Sequence, residues 1–211
     1  MNNLPAAYYA NARKEIASLL PLRMDNVLEI GCSEGNTLLW LREEKDAKTC
    51  RGMEILPEAA ERAKSRGLEI VVGDIETDGI LFQEKNDLVL CLDVLEHLRD
   101  PWRTLPIIVD SIRPGGSLIV SLPNIAHISI LSGLIFRDDW TYQDAGILDR
   151  THLRFFTRRT ACKLLACSGI KLTTIKPKFA RKTHRNLNFI TLGLFERFFA
   201  YQYIFLVKKE I

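Results

Sequence analysis

The chain has 211 residues, a length that suits one domain with a full hydrophobic core. Hydrophobic residues make up 47% of it and charged residues 26%, which excludes a disordered chain, a collagen-like repeat and a disulfide scaffold. The formal net charge of +3 is too small to indicate an anionic partner by itself.

Predicted strands and helices alternate along most of the chain. Short apolar runs predict strands at Val27–Ile30, Cys50–Glu54, Leu68–Val72, Asn86–Leu92, Ser117–Leu122, Ile170–Ile175 and Tyr201–Val207. Helical patterns and end signals predict helices at Asn36–Glu44, Pro57–Arg66, Pro101–Ile112, Thr157–Ser168 and Asn186–Ala200. This alternation predicts a Rossmann-like α/β fold, an open, mostly parallel seven-stranded sheet with helices on both faces. We expect the last two strands to form an antiparallel pair, and residues 1–211 to form one domain.

The N-terminal residues Met1–Pro5 lack the charged and apolar segments of a secretory signal. No apolar stretch reaches the length that spans a bilayer, so we expect a cytoplasmic protein. None of the five cysteines has a Cys-x-x-Cys partner, which favours buried thiols in a reducing compartment over a metal or redox site.

The turn after the first predicted strand carries the main chemical signal. Gly31, Ser33 and Gly35 form a G-x-S-x-G pattern, and Glu29 lies inside the strand just before it. A dinucleotide-binding turn has the spacing G-x-G-x-x-G and binds a pyrophosphate, which a carboxylate at this place would repel. The acid therefore favours a ligand with a cationic amino group, and the tight turn lets the backbone approach that ligand closely.

This segment resembles the first motif of the class I S-adenosylmethionine-dependent methyltransferases, in which an acid precedes glycines at alternate positions. Ser33 stands where glycine is commoner in the family. The resemblance covers about Met24 to Leu122 and continues at Glu54, Asp74 and Arg113–Gly116. Asp93–His97 follows the fourth predicted strand, as in the small-molecule branch of the family. The resemblance implies S-adenosyl-L-methionine as the methyl donor and S-adenosyl-L-homocysteine as the product. Because the positive sulfur already makes the methyl group electrophilic, we expect the reaction to require no metal.

The resemblance also implies which residues bind the cofactor. It implies that Glu54 holds both ribose hydroxyls and that Asp74 contacts the adenine amino group, with Ile75 beside the ring. The residues expected to bind the cofactor are Tyr9, Arg13, Glu29, Gly31, Cys32, Ser33, Gly35, Glu54, Ile55, Asp74, Ile75, Leu92 and Asp93.

Residues 1–22 are expected to form a helical lid over the methionine end of the cofactor. In the family a tyrosine and an arginine before the first strand serve this purpose, which implies that Tyr9 covers the cofactor and that Arg13 pairs with its carboxylate. The alternative is a helix packed by Tyr8 and Tyr9, with Arg13 at the surface.

Methyl transfer to a hydroxyl oxygen usually requires removal of a proton, and histidine has a suitable pKa for that task. His97 and His127 follow predicted strands at the sheet edge where ligands bind in such folds. His152 lies in a later segment, and these three histidines are the candidate bases.

Residues 123–156 show no clear period and are expected to form an insert on the acceptor side. Segments 122–127 and 146–157 resemble methyltransferases of bacterial surface-sugar biosynthesis, in which they face the acceptor. This implies that Asn124, His127, Asp149 and His152 line the acceptor pocket. The alternative is that Asp149 and His152 hold a loop in place.

The chain has eleven Lys or Arg and one acid between Asp149 and Arg185. A solvated face, a site for an anionic small molecule such as a nucleotide-linked sugar, and an RNA or membrane surface all fit this charge pattern. No RNA-binding module signature is present, which disfavours nucleic acid. The amphipathic helix Asn186–Ala200 suits a peripheral membrane contact, packing on the sheet or a homodimer contact.

The sequence therefore predicts a methyltransferase that O-methylates a sugar or a related polar or anionic metabolite. The alternatives are a non-catalytic S-adenosylmethionine-binding module, an RNA methyltransferase and a nicotinamide-dependent oxidoreductase. The glycine spacing and Glu29 disfavour the last of these.

Overall fold

The computed structural model describes residues 11–166 and 169–210, so the predictions for Tyr8 and Tyr9 lie outside the described residues. Its seven strands form one sheet in the order β3-β2-β1-β4-β5-β7-β6. The strands are β1 (Asn26–Ile30), β2 (Thr49–Glu54), β3 (Glu69–Val72), β4 (Asn86–Leu92), β5 (Ile112–Pro123), β6 (Ile170–Lys178) and β7 (Gln202–Lys209). Strands β1 to β5 pair in parallel, whereas β7 runs antiparallel to both β5 and β6. The predicted Rossmann-like fold is confirmed.

The centre of the sheet is buried on both faces. Every residue of β4 is buried, and its consecutive residues Leu88 and Val89 belong to two different hydrophobic clusters. Successive strand residues point to opposite faces, so a strand covered on both sides needs a continuous apolar run, as β4 has.

Helices cover both faces of this sheet. They are α1 (Asn36–Glu44), α2 (Pro57–Ser65), α3 (Pro101–Asp110), α4 (Ile128–Arg137), α5 (Arg158–Leu164), α6 (Lys182–Ile190) and α7 (Glu196–Phe199). Leu38 of α1 and Ala60 of α2 contribute to one cluster, whereas Leu105 of α3 and Leu164 of α5 contribute to the other. No helix in the described part of the chain is long and apolar enough to cross a membrane.

One local prediction was wrong, and one segment for which the sequence predicted no helix contains one. Residues predicted as one helix, Asn186–Ala200, form α6 and α7, because Leu192 and Gly193 adopt left-handed conformations with φ of 49° and 80° that end a helix. The segment without a clear period contains α4, whose only buried residue is Gly133. Most residues of this helix are apolar and several of them are exposed, so its apolar positions do not mark a buried face.

The described part of the N-terminal segment forms a 3-10 helix at Lys14–Leu19, anchored by the buried Ile16. Two lysines of β6 hold it in place. The Lys178 ammonium lies 2.7 Å from a Glu15 carboxylate oxygen, and the Lys176 ammonium donates to the Glu15 carbonyl at 2.8 Å. Part of the basic charge in the C-terminal third is therefore used within the chain.

Candidate active site

The strand order reverses at β1, which has β2 on one side and β4 on the other. In open α/β sheets, ligands bind beside the carboxyl ends of the strands at such a reversal. A cavity of about 390 Å³ lies there. Six residues predicted from the sequence line it: Gly31, Ile55, Asp74, Ile75, Asp93 and His97. The fold also brings in residues that were not predicted, namely Ile30, Met53, Gly73, Glu76, Val94, Leu98, Arg99 and Leu153.

The glycine-rich turn owes its pattern to backbone conformation. Gly31, Ser33 and Gly35 all have positive φ, at 68°, 50° and 75°. Side chains disfavour this left-handed region, which explains why small residues alternate here. A Cβ on Gly31 would lie 2.7 Å from Val94 Cγ2, so a side chain there would clash with the wall of the cavity. Ser33 is therefore a strained exception to the family pattern.

The Glu54 carboxylate holds this turn from the end of β2. It is buried and accepts hydrogen bonds from the Ser33 backbone N–H at 2.7 Å and from the Leu56 N–H at 2.9 Å. Asp74 is half-buried at the wall of the cavity, where its carboxylate accepts the Glu76 N–H at 2.8 Å. Both acids therefore shape the loops around the cavity through backbone N–H groups.

Glu29 is a buried acid beneath the turn. Its Oε2 atom has no hydrogen-bond partner among the residues that the structure describes. Burial raises the pKa of Glu29 to about 8, although Arg13 and Thr37 act in the opposite direction. A carboxyl group in this state is protonated at neutral pH until a cation approaches it.

Arg13 is engaged by acids of the chain itself. Its guanidinium lies 2.7 Å from an Asp93 carboxylate oxygen and 2.8 Å from Glu15, and Ser121 and Gln202 also contact it. Burial lowers the pKa of Arg13, but Asp93 and Glu15 raise it to a net value above its ordinary range. The predicted pairing of Arg13 with the cofactor carboxylate stays a prediction.

The other predicted cofactor residues lie close to the turn but do not line the cavity: Glu29, Cys32, Ser33, Gly35, Glu54 and Leu92. Cys32 is buried, and a Cβ on Gly52 would lie 2.5 Å from its sulfur. Burial raises the pKa of the Cys32 thiol above its ordinary range, so this cysteine acts as a packing residue.

His97 and His152 lie together at the cavity. Their ring centroids are 4.7 Å apart in an edge-on arrangement, and His97 lines the cavity whereas His152 is buried beside it. Burial and the neighbouring His152 lower the pKa of His97. Glu96, which precedes His97, is buried, and burial together with Asp93 raises the pKa of its carboxyl group well above the ordinary value.

His127 lies at a different place. It is buried at the start of α4, where its Nδ1 accepts the Ser129 N–H at 3.2 Å and its Nε2 lies 3.4 Å from His184 Nδ1. Burial, His184 and Arg181 lower the pKa of His127 to about 4. It lines a groove with His184 and Tyr201, so the structure does not bring it to the cavity of His97.

Asn124 and Asp149 hold loops in place. The buried Asn124 amide donates to the Arg197 and Ala200 carbonyls, both at 2.8 Å, and so ties the end of β5 to α7. Asp149 accepts the Thr151 N–H at 2.8 Å and the Thr151 hydroxyl at 2.6 Å. Neither lines the cavity of His97.

A second cavity, of about 310 Å³, lies between α4 and the loop that follows it. Its lining is rich in hydrogen-bonding groups and includes Ser129, Arg137, Asp139, Thr141, Gln143, Ile147 and Tyr201. The Ile147 carbonyl lies 3.0 Å from His152 Nδ1, so His152 stands between this cavity and His97.

Three comparisons with known proteins bear on this site. Residues 6–175 match the family model described as a methyltransferase domain. A ubiquinone biosynthesis O-methyltransferase of Paracidovorax citrulli is 22% identical over 191 residues, which cover 83% of this chain and 79% of the relative.

Solved structures with the same fold include an S-adenosylmethionine-dependent methyltransferase of Thermotoga maritima, described as a possible histamine N-methyltransferase. Its TM-score is 0.64 and its sequence identity is 16%, and the match covers 93% of this chain and 86% of the Thermotoga chain. The N-methyltransferase NodS of Bradyrhizobium japonicum, solved with S-adenosyl-L-homocysteine, has a TM-score of 0.63 and 17% identity over 99% of this chain and 93% of its own.

Proposed function

The chain belongs to the methyltransferase domain family and is an S-adenosylmethionine-dependent methyltransferase, and we propose that its acceptor atom is a hydroxyl oxygen of a small molecule. The observation that carries the proposal is the cavity beside β1, which brings His97 to the same walls as Gly31, Asp74 and Asp93. A group able to accept or redirect a proton thus faces the predicted cofactor site. The oxygen acceptor also agrees with the O-methyltransferase named among the relatives.

In this proposal the adenosine part of the cofactor lies against Asp74 and Ile75, and the methionine part approaches the turn at Gly31. The unpaired Oε2 of Glu29 supplies a countercharge for the cationic amino group. Glu54 receives the ribose hydroxyls with the lone pairs that its two N–H contacts leave free, because each carboxylate oxygen accepts more than one hydrogen bond.

His97 is the histidine that we favour for contact with the acceptor oxygen. Of the three candidates it is the one that lines this cavity, with His152 behind it and His127 in another groove. Methyl transfer is a displacement at carbon, in which the acceptor oxygen forms the new bond while the electron pair of the old bond stays on sulfur. The chain must therefore align the oxygen and remove its proton.

A polar, sugar-like acceptor suits the second cavity. Ser129, Thr141, Gln143 and Tyr201 offer hydroxyl and amide groups to a polyhydroxylated ligand, and Arg137 offers a cation to an anionic one. Through Ile147 and His152 this cavity adjoins His97. We infer that the acceptor reaches His97 from this side.

The surface beside α6 suits an acceptor presented at a membrane. Phe189 and Leu192 are 81% and 93% exposed. Arg181, Lys182 and Arg185 make no ion pair with an acid in the part of the chain that the structure describes. Apolar side chains beside unpaired cations match the interface of an anionic bilayer, so we propose a peripheral contact and a sugar-linked lipid as the acceptor class.

Calorimetry with S-adenosyl-L-homocysteine, followed by methyl-transfer assays on a panel of free sugars, nucleotide-linked sugars, lipid-linked sugars and RNA, tests the proposal. Product from a hydroxylated sugar substrate supports it. Tight cofactor binding without product from any of these acceptors favours a non-catalytic binding module, and product from RNA alone favours an RNA methyltransferase.

A further inference from the structure

Glu96 is a buried acid for which the chain supplies no partner. The residue is 1% exposed, and neither carboxylate oxygen has a hydrogen-bond partner among residues 11–166 and 169–210. Burial of an unpaired carboxyl group is costly, so such a group usually has a partner that the protein atoms do not include. The charged groups that interact with this carboxyl group are Asp93, Asp149 and Arg13. Two of these three are acids, so a cation is the partner that this place favours.

Two imidazoles stand beside this carboxylate. Glu96, His97 and His152 each offer one ligand atom, and these atoms all lie within 4.8 Å of one another. Around a tetrahedral ion with ligands at about 2.1 Å, the ligand atoms lie roughly 3.4 Å from one another. Side-chain movements of about 1 Å would bring these three atoms to that spacing.

Hydrogen bonds fix which ring nitrogen is free on each histidine. His152 Nδ1 lies 3.0 Å from the Ile147 carbonyl oxygen, which can only accept, so Nδ1 carries the hydrogen. His97 Nδ1 lies 3.3 Å from the Thr151 carbonyl oxygen and 3.1 Å from the Thr151 hydroxyl. That hydroxyl donates to Asp149 at 2.6 Å, so it accepts from His97. In the neutral form of each ring, Nε2 is therefore the nitrogen that carries the lone pair.

We propose that Glu96, His97 and His152 bind a divalent first-row transition-metal ion of the Zn²⁺ class. Two imidazole nitrogens and one carboxylate are a donor set that suits such ions, and histidine ligands typically donate their other ring N–H to a carbonyl or a carboxylate. Here His152 donates its Nδ1–H to the Ile147 carbonyl and His97 donates its Nδ1–H to the Thr151 carbonyl. Asp149 holds Thr151 in place by accepting its hydroxyl hydrogen.

The ion acts on the acceptor, and this role rests on the proposed function. Three protein ligands leave a coordination position free, and His97 lines the cavity in which the cofactor is proposed to lie. An acceptor hydroxyl bound there loses its proton to water more readily, because the ion stabilises the oxygen anion. The oxygen then forms the bond to the methyl carbon as the sulfur–carbon bond breaks and its electron pair stays on sulfur. When the ion is bound, His97 is one of its ligands and does not take the proton itself.

The test titrates the full chain, stripped with a chelator, with ZnCl₂, MnCl₂ or MgCl₂ in a calorimeter. We expect one Zn²⁺ per chain, with weaker Mn²⁺ and no Mg²⁺ binding, because Mg²⁺ prefers oxygen ligands. Glu96→Gln and His152→Gln keep the side-chain size and should each weaken Zn²⁺ binding by at least about tenfold. His184→Gln removes a histidine outside the cluster and should leave the Zn²⁺ affinity unchanged.

Thermal melts and S-adenosyl-L-homocysteine binding of each variant report whether it folds. A folded wild-type chain that binds no Zn²⁺, or binding that survives in both folded cluster variants, overturns the site. If both cluster variants fail to fold, Co²⁺ absorption of the wild-type chain decides, because nitrogen and oxygen ligation in a four-coordinate site gives visible bands. Methyl transfer that chelation does not slow overturns the role of the ion while the proposed function stands. If the chain binds Zn²⁺ but methylates none of the acceptors, the metal site is supported and the proposed function is rejected.

Discussion

The Ser33 backbone N–H donates to the Glu54 carboxylate at 2.7 Å, which ties the turn after β1 to the end of β2. This single contact joins two elements for which the sequence predicted contacts with different parts of the cofactor, the methionine part and the ribose. Because Ser33 is held in a left-handed conformation, the carboxylate both positions the turn and opposes its strain.

Replacement of Glu54 by Ala should weaken S-adenosyl-L-homocysteine binding by about 1–3 kcal/mol, the scale of a lost charge-assisted hydrogen bond. The variant loses the proposed ribose contact and the support of the Ser33 N–H together. Calorimetry at 25 °C measures the change, and Glu61→Ala on the exposed face of α2 serves as the control. An unchanged affinity in the Glu54 variant would remove this residue from the site.

Replacement of Ser33 by Gly should raise the free energy of unfolding by about 0.5–1 kcal/mol. Glycine adopts φ of 50° without strain, and the buried Ser33 hydroxyl has no hydrogen-bond partner among the described residues to lose. The matched Ser33→Val variant places a β-branched side chain in the same conformation and should lower the free energy by more than about 1 kcal/mol. Urea unfolding measures both, and a destabilised glycine variant would contradict the account of the turn.

Cofactor binding should strengthen as the pH rises from about 6 to 8. Burial holds the pKa of Glu29 at about 8 in the free protein, and a cationic amino group beside it lowers that pKa. Binding below pH 8 therefore releases a proton, so a higher pH favours the complex by up to about tenfold per unit, and the gain ends above pH 8. Titrations of S-adenosyl-L-homocysteine in buffers of different ionisation enthalpy count the protons. Glu29→Gln should bind more weakly and without this proton release; release that persists in it would assign the proton to another group.

Among the three candidate histidines, His97 should matter most for turnover. We expect His97→Gln to lower kcat by about 100-fold or more, because the cavity loses its proton-accepting or ion-binding group. His127→Gln should leave kcat unchanged, since His127 lines a separate groove with His184. Single-turnover assays under saturating cofactor measure the chemical step. The opposite ranking of the two variants would move the acceptor to the groove at α4.

Binding to vesicles that contain anionic lipid should depend on the surface beside α6. Leu192→Ser and Arg185→Glu should each reduce co-sedimentation, the second more strongly at low salt, since screening weakens its attraction to the lipid. Leu22→Ser and Lys64→Glu make the same changes of residue class at exposed positions elsewhere and are the controls. Equal binding by all four variants, or none by the wild-type chain, would exclude the proposed membrane contact.

The amino-acid sequence was enough to predict the fold and the position of the glycine-rich turn, because both depend on local patterns. Buried strands such as β4 need continuous apolar runs, and the left-handed positions at Gly31 and Gly35 need residues without bulky side chains. The same local logic failed for α4 and for the α6–α7 break, where exposed apolar residues and a left-handed Leu192 leave no reliable period.

Which histidines lie together depends on the packing of loops that are distant in the sequence. His97 and His152 lie far apart in the chain, and their contact arises because Leu153 and Arg154 donate their backbone N–H groups to the Glu96 carbonyl. His127 follows β5 at the same sheet edge, yet α4 and α6 enclose it in a separate groove. The pairing of Arg13 with Asp93 likewise crosses the sheet edge. Such contacts depend on how loops pack against one another, which residue type and local spacing do not predict.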